Sequence, residues 1–392
     1  MARETLDARQ AAEVLGVKLE TLYAYVSRGL LKSLPGEGRA RLYRRRDLER
    51  LRQRGSAAGV LAWGAPVLES GITQVTAEGP LYRGHSAVGL ARDGVGFERV
   101  AELLWTGALP ARARWAPTPA PPPVPAAPPL QRLAVLVPLL GLADPARCLR
   151  EPEAVLPRAR RVIRALSQAL ALPGREAQAA RRRDVAGVLA AGLGARGGAA
   201  GRRALDQLLV LWADHELNVS AFAARVAASA QADLYGCLSA GLAALSGPLH
   251  GGCSLQVAAL FEEVARPERA AEVVLARLAR GDGVPGFAHP LYPQGDPRAV
   301  PLLDAARALG GARVEVADAV IEAVREHRSL APTVDVGSVA LTLALGIPAA
   351  HTPGLIAIGR AAGWVAHTLE QYAEGSLIRP RARYRDPRPG LA

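Results

Sequence analysis

The sequence predicts a mainly helical protein in which a small, basic N-terminal unit precedes a much larger helical body. From Ala65 onward the pattern is helical with short loops, and no run of alternating residues is long enough for a large sheet. A length of 392 residues exceeds one ordinary domain and implies two or three, each able to bury a core. Charge is uneven: residues 1–54 hold 13 Lys and Arg against 7 Asp and Glu, so about half of the net +12 lies in one seventh of the chain.

The N-terminal elements follow in order. Asp7-Ala8-Arg9-Gln10 is a D-x-x-Q capping box that opens an amphipathic helix to Leu15, and Gly16 makes the turn. A second helix runs from about Leu19 to Arg28, with Leu22 and Val26 on its apolar face, and stops at Gly29. Apolar strands Leu30–Leu34 and Arg39–Tyr43 flank Pro35-Gly36-Glu37-Gly38 as a hairpin wing, and Asp47 caps a third helix through Arg54. Gly55 to Gly59 is a short linker.

This pattern is a winged helix-turn-helix and resembles the MerR and excisionase type of DNA-binding module. The resemblance implies a second helix in the major groove and a wing on the backbone. Arg9, Thr21, Tyr25 and Arg28 are the groove candidates, and Arg39, Arg41, Arg44 and Arg45 the phosphate candidates. A docking element with a solvated arginine face is the alternative.

Composition narrows the rest. Half of the residues are apolar, the longest nearly uncharged stretch, Leu133 to Ala143, is too short to span a bilayer, and the N-terminus leads into no signal core. A cytoplasmic protein is expected. Cys148, Cys237 and Cys253 form no CxxC pair, which argues against a disulfide framework or a metal site, and Cys253 reads as a packed thiol at a helix start. Lys18 and Lys32 are the only lysines, so the basic total reflects heavy Arg use and says little about partners by itself. Pro110 to Pro129 reads as a polyproline-like surface loop.

Three Gly/Pro-rich turns carry the chemistry: Ser246-Gly247-Pro248-Leu249-His250-Gly251-Gly252, Val284-Pro285-Gly286-Phe287-Ala288-His289 and Pro332-Thr333-Val334-Asp335. Two imidazoles and a carboxylate can move protons at carbon. With Asp214-His215-Glu216-Leu217-Asn218-Val219-Ser220 before them and Gly359-Arg360-Ala361-Ala362-Gly363-Trp364-Val365-Ala366-His367 after, they resemble the citrate synthase family from about Val67 to Tyr384. Leu81 to Ser86 and Phe97 to Leu104 resemble that family's opening hairpin and first helix, with His85 a structural residue.

The resemblance implies a two-domain helical fold behind the N-terminal module, with a large domain from 60–250 and 345–392 and a small one from 251–344. It implies condensation of acetyl-CoA or propionyl-CoA with oxaloacetate or a related 2-oxoacid. Asp335 would be the base and His250 would hydrogen-bond the thioester oxygen, kept neutral by the adjoining helix N-terminus. His289 would polarise the ketone. His215, Arg360 and Arg379 would bind the oxoacid, with Arg379 crossing from a partner subunit of a homodimer. Val284, Pro285 and Gly286 would hold the CoA adenine and Arg298 its phosphates, with CoA a substrate and neither cofactor nor metal required.

Two departures modify this reading. Pro290 stands where the family motif commonly has an arginine, which implies a lost carboxylate clamp, and Val336 and Gly337 replace larger residues, which implies room for a larger acyl group. A DNA-binding metabolite sensor with little or no turnover is the alternative function.

Overall fold

The computed structural model describes residues 5–15, 17, 19–27, 31, 33–35, 41–44, 48 and 68–380. The chain divides into two compact units, Met1–Glu69 and Ser70–Ala392.

In the N-terminal unit, β1 (Thr5–Leu6) leads into α1 (Ala8–Leu15) and α2 (Leu19–Ser27), followed by β2 (Leu34–Pro35) and β3 (Arg41–Arg44). The capping box is reciprocal: Gln10 N–H donates to Asp7 Oδ1 at 2.9 Å and Asp7 N–H to Gln10 Oε1 at 3.3 Å. The sheet has the order β1-β3-β2, antiparallel throughout, with Thr5 opposite Arg44 and Leu34 opposite Leu42. The wing therefore starts later than the apolar run from Leu30 suggests, and gains a strand at Thr5–Leu6. Two residues are too short to show alternation. Leu6, Ala11, Ala12, Leu22, Leu31, Tyr43 and Leu48 form the core of this unit. Leu48 is helical, as the expected third helix requires; the rest of that helix, Arg28, Arg39, Arg45 and the linker at 55–59 lie outside the described residues.

The second unit opens with a small meander, β4 (Thr73–Thr76), β5 (Gly79–Tyr82) and β6 (His85–Ser86), and is otherwise helical. Its helices are α3 (Ala87–Arg92), α4 (Phe97–Thr106), α5 (Pro129–Leu142), α6 (Pro152–Ala169), α7 (Glu176–Ala180), α8 (Val185–Leu193), α9 (Gly198–Trp212), α10 (Val219–Ser229) and α11 (Leu234–Leu245). Then follow α12 (Cys253–Val264), α13 (Ala270–Ala279), α14 (Ala299–Leu309), α15 (Ala312–Arg328), α16 (Val334–Ala344) and α17 (Thr352–Glu374). No helix among the described residues is long and apolar enough to cross a membrane. His85 is exposed on β6. The proline-rich stretch from Pro110 has no helix or strand until α5. Trp115 anchors it, stacked on Trp105 at 5.6 Å and donating Nε1–H to Glu102 at 2.9 Å.

Helix α17 is apolar nearly all round and buried from Thr352 through Thr368, as such a helix must be. Gly359 and Gly363 admit the end of α9. A Cβ at 359 would lie 2.9 Å from the Leu209 carbonyl, and one at 363 only 2.2 Å from Asp214 Oδ1. Gly363 N–H instead donates to the Ala213 carbonyl at 2.8 Å. This close approach brings Trp212, Asp214 and His215 against the face of α17 that carries Arg360.

Candidate active site

The turn that carries His289 is built around Gly286, at φ 83°. A Cβ there would meet Val257 Cγ2 at 2.5 Å and Val336 Cγ2 at 2.6 Å, so only glycine fits. Its carbonyl accepts Thr333 N–H at 2.8 Å, Ala288 N–H reaches the Ala331 carbonyl at 3.3 Å, and Phe287 pairs with Pro332. These bonds tie the His289 turn to the start of α16. Ala288 has φ 65°, a left-handed conformation that costs a non-glycine residue about 1 kcal/mol. A tight turn follows, with Tyr292 N–H on the His289 carbonyl at 2.9 Å and Pro290 at the position where its fixed φ is favourable.

Leu291 N–H donates to His289 Nδ1 at 3.2 Å, which leaves the ring proton on Nε2. The His289 ring lies 5.7 Å from that of His215 and 5.0 Å from that of Tyr292, and His215 Nε2 is 2.8 Å from Tyr292 Oη. Burial and the Arg298 charge hold His289 down to about 4, and His215 well below the usual imidazole range. Burial pushes the Tyr292 hydroxyl up to about 12. The three groups are therefore neutral hydrogen-bonding partners at neutral pH.

Asp335 occupies the second position of α16, whose N-cap is Thr333. Thr333 Oγ1–H donates to Asp335 Oδ2 at 3.3 Å, whereas Oδ1 is buried with no hydrogen-bond partner. Burial pushes this carboxyl up to about 6 despite the opposing Arg298 charge. Cys253, at the first position of α12, is pushed up to about 12 by burial and by Asp335. It is the inert thiol that the sequence suggests.

His250 stands in the turn before α12. Its Nε2 lies 2.8 Å from Ser220 Oγ, which accepts Trp364 Nε1–H at 3.1 Å and donates to Asn218 Oδ1 at 2.8 Å. The single Ser220 proton thus has two acceptors. When it turns to His250, Nδ1 carries the imidazole proton and becomes a donor. His250 falls to about 4, and the leading cause is burial, followed by Arg360, rather than the helix N-terminus. Trp364→Phe keeps a ring against Gly241 but removes the N–H. If His250 acts as the family resemblance implies, this is expected to lower kcat about fivefold to tenfold with KM unchanged, as steady-state kinetics would read. Parallel loss of kcat, KM and Tm would instead mark a packing defect.

Two arginines complete the cluster. The Arg298 and Arg360 guanidinium carbons lie 5.7 and 5.3 Å from the Trp212 ring centre, and Arg298 also lies 5.7 Å from that of Tyr292. Arg298 is 2% exposed and bidentate on Asp296, with Nε–Oδ1 at 3.0 Å and Nη2–Oδ2 at 2.7 Å. Asp296 Oδ2 also accepts Val334 N–H at 3.1 Å, which ties the arginine to the helix that carries Asp335. Arg360 is 1% exposed, and its Nε and Nη1 have no hydrogen-bond partner. Burial and the neighbouring Arg298 bring it down to about 10 although Asp214 opposes them.

The structure thus gathers His215, His250, His289, Asp335, Arg298 and Arg360. It places Arg298 in the arginine cluster beside His289, not at a solvent-facing phosphate position, because Asp296 holds its guanidinium inside. A second guanidinium, that of Arg298, therefore stands in the cluster, while Pro290 itself is exposed on its turn. The space expected at Val336 and Gly337 is occupied by the chain itself: Val336 packs on the Gly286 turn, and a Cβ at 337 would meet the Ala299 carbonyl and Leu302 at 3.0 Å. Val284 and Pro285 are half-buried and Gly286 is buried. Arg379 lies exposed beyond α17 without a hydrogen bond or ion pair among the described residues. Ser220, Asn218, Trp212, Trp364, Tyr292 and Asp296 join the site without having been singled out in the sequence; the clue for Asp296 was its place two residues before Arg298.

In the N-terminal unit, Arg9 and Arg44 are exposed, Arg41 is exposed with Nη1 on Ser33 Oγ at 2.9 Å, and Thr21 is half-buried. Tyr25 packs partly against the core, whereas Tyr23 is 51% exposed on α2 and is the aromatic that reasoning from the sequence passed over. No group of metal-binding side chains occurs among the described residues.

Comparison with known proteins bears on both units. The family described as citrate synthase, C-terminal domain, matches residues 60–381, and a helix-turn-helix domain family matches residues 5–56. A citrate synthase of Haloferax volcanii is 42% identical over 185 residues, which are 46% of this chain and 49% of that protein. A 2-methylcitrate synthase of Corynebacterium glutamicum is 32% identical over 188 residues, covering 46% and 49%. The matched part of the chain therefore spans about half the length of these curated relatives. The crystal structure of citrate synthase from Thermotoga maritima superposes with a TM-score of 0.69 at 27% identity, covering 83% of this chain and 94% of that one.

Proposed function

The chain belongs to the citrate synthase family, and on that premise we propose that it condenses an acyl-CoA with oxaloacetate or a related 2-oxoacid and releases CoA. The observation that carries this reading is a half-buried carboxylate titrating near 6, with one unbonded oxygen, in a site that also holds an unpaired buried guanidinium. Above that pH, Asp335 Oδ1 takes the α-proton of the thioester. His250 donates a hydrogen bond to the thioester oxygen as charge develops there. The enol carbon attacks the ketone carbon, and His289 Nε2–H donates to the ketone oxygen, which becomes a hydroxyl. Water then cleaves the thioester and frees the thiol. Arg360 and Arg298 hold the oxoacid carboxylates, with Trp212 beside both.

Thiol release with acetyl-CoA and propionyl-CoA against a panel of 2-oxoacids tests this reading. Turnover that requires a dicarboxylic oxoacid is expected; no turnover with any pair would leave the sensor as the better reading. Because Pro290 is exposed and Arg298 already occupies the site, Pro290→Arg is expected to leave the oxaloacetate KM unchanged. A clear fall in KM would restore the idea of a lost clamp.

The proposal extends to partners. The outward face of α10 carries Val219, Phe222, Ala223, Val226 and Ala227 without a charge, and Leu249 beside His250 is 99% exposed. A second copy of the chain fits such a surface and would bring its own Arg379. The exposed Arg9 and Arg44 support duplex DNA as the partner of the N-terminal unit. Deleting 1–54 would then abolish DNA binding and spare condensation.

A further inference from the structure

We propose that the catalytic body itself carries a second surface for the phosphate backbone of duplex DNA, formed by the arginines that flank α7 and α8 and those at the start of α9. This rests on the DNA reading of the N-terminal unit. Between Arg175 and Asp206 the sequence has seven arginines and three acids. Arg175, Arg181, Arg182, Arg183, Arg196 and Arg203 are exposed, and none makes an ion pair among the described residues.

Heavy arginine use does not by itself account for this. Elsewhere on the same body surface arginines meet acids: Arg147 with Asp233, Arg160 with Glu102, Arg277 with Glu263 and Arg307 with Asp318. Other exposed arginines without an ion pair among the described residues, such as Arg92, Arg266 and Arg313, are scattered along the chain, whereas six fall between Arg175 and Arg203.

That place is also rigid. Beneath the arginine triplet, Arg164 is 1% exposed and donates to the carbonyls of Arg182, at 2.9 Å, and Arg183. Asp184 caps α8 through Gly187 N–H at 2.7 Å and pairs with Arg202 at 2.6 Å, which joins the triplet to α9. At the other end of α8 the Arg175 guanidinium lies over Gly194, where a Cβ would be 2.7 Å from its Cζ. Arg196 follows two residues later.

The nine residues of α8 separate these ends by about 13 Å at helical rise. That is the length of about four phosphates along one strand of a duplex. α9 carries the patch at its start and Trp212 of the site at its end, so the two surfaces are at opposite ends of one helix.

The test compares three full-length proteins: the parent, a variant with Arg181, Arg182, Arg183 and Arg203 each changed to Gln, and an Arg9→Gln, Arg44→Gln variant. Duplex affinity is measured across a salt series. The body variant is expected to lose about 3.6 units from the slope of log K against log salt, and about a hundredfold in affinity at physiological salt, through the loss of counterion release. Changing the same four residues to Lys should retain the slope, and kcat, KM and Tm should not change. An unchanged slope in the body variant, with loss only in the Arg9/Arg44 variant, would overturn the second surface and leave the N-terminal reading standing. A raised KM for acyl-CoA would assign the patch to the CoA phosphates instead. Absence of duplex binding by the parent would overturn both.

Discussion

Asp335→Asn is expected to lower kcat about a thousandfold, within the range for loss of a general base, while CoA binding stays nearly unchanged. The same variant should be more stable than its parent. The Asp335 carboxyl titrates near 6 in the folded chain against an ordinary value of 3.8, so the folded state binds the proton more tightly than the unfolded one. The stability it contributes is fully present below the ordinary value and is lost as pH rises toward 6. Asparagine has no such proton to lose. Its gain should be roughly 3 kcal/mol at about pH 7.5 and should vanish below about pH 4, as thermal melts across pH would read. In the parent, kcat/KM should rise with pH through about 6. Retention of more than about a tenth of the activity would remove Asp335 from the role of base.

Arg360→Gln carries the second large effect. Its two unbonded nitrogens lie in a buried site, and a carboxylate left there without a charged partner loses about 2–5 kcal/mol. The oxoacid KM should rise between about thirtyfold and a few thousandfold, with little loss of Tm. Arg298→Gln should differ in kind. It strips Asp296 of its bidentate partner and leaves a buried carboxylate unpaired, so substrate binding and stability should fall together, stability by about 3–5 kcal/mol. If both variants melt like the parent, the Asp296–Arg298 pair is not the structural bond its geometry indicates.

The contrast between these arginines marks what the sequence could and could not reveal. His215, His250, His289 and Asp335 each lie in a short motif with its own turn or cap, and the structure brings all four together. The capping box of α1 was legible for the same reason, since three residues define it. Arg298 was misplaced because its direction depends on Asp296 and on Trp212 from α9, and no local pattern states which way a guanidinium turns. Ser220 and Trp364 are 144 residues apart, so their shared hydrogen bond has no trace in either neighbourhood. Val336 and Gly337 looked like space because side-chain volume is visible in a sequence, whereas the helix that fills it is not.

The glycines of α17 limit how this site could diversify. Gly359 and Gly363 bracket Arg360 on the helix that the end of α9 approaches, and a side chain at 359 would displace Leu209 and Trp212, one at 363 Ala213 and Asp214. On the proposed function, a change of acid preference meets less resistance in the turn from His289 to Tyr292, where Pro290 is exposed and Leu291 half-buried. Descendants of this chain with altered substrates should therefore vary in a four-residue loop and keep the helix behind it.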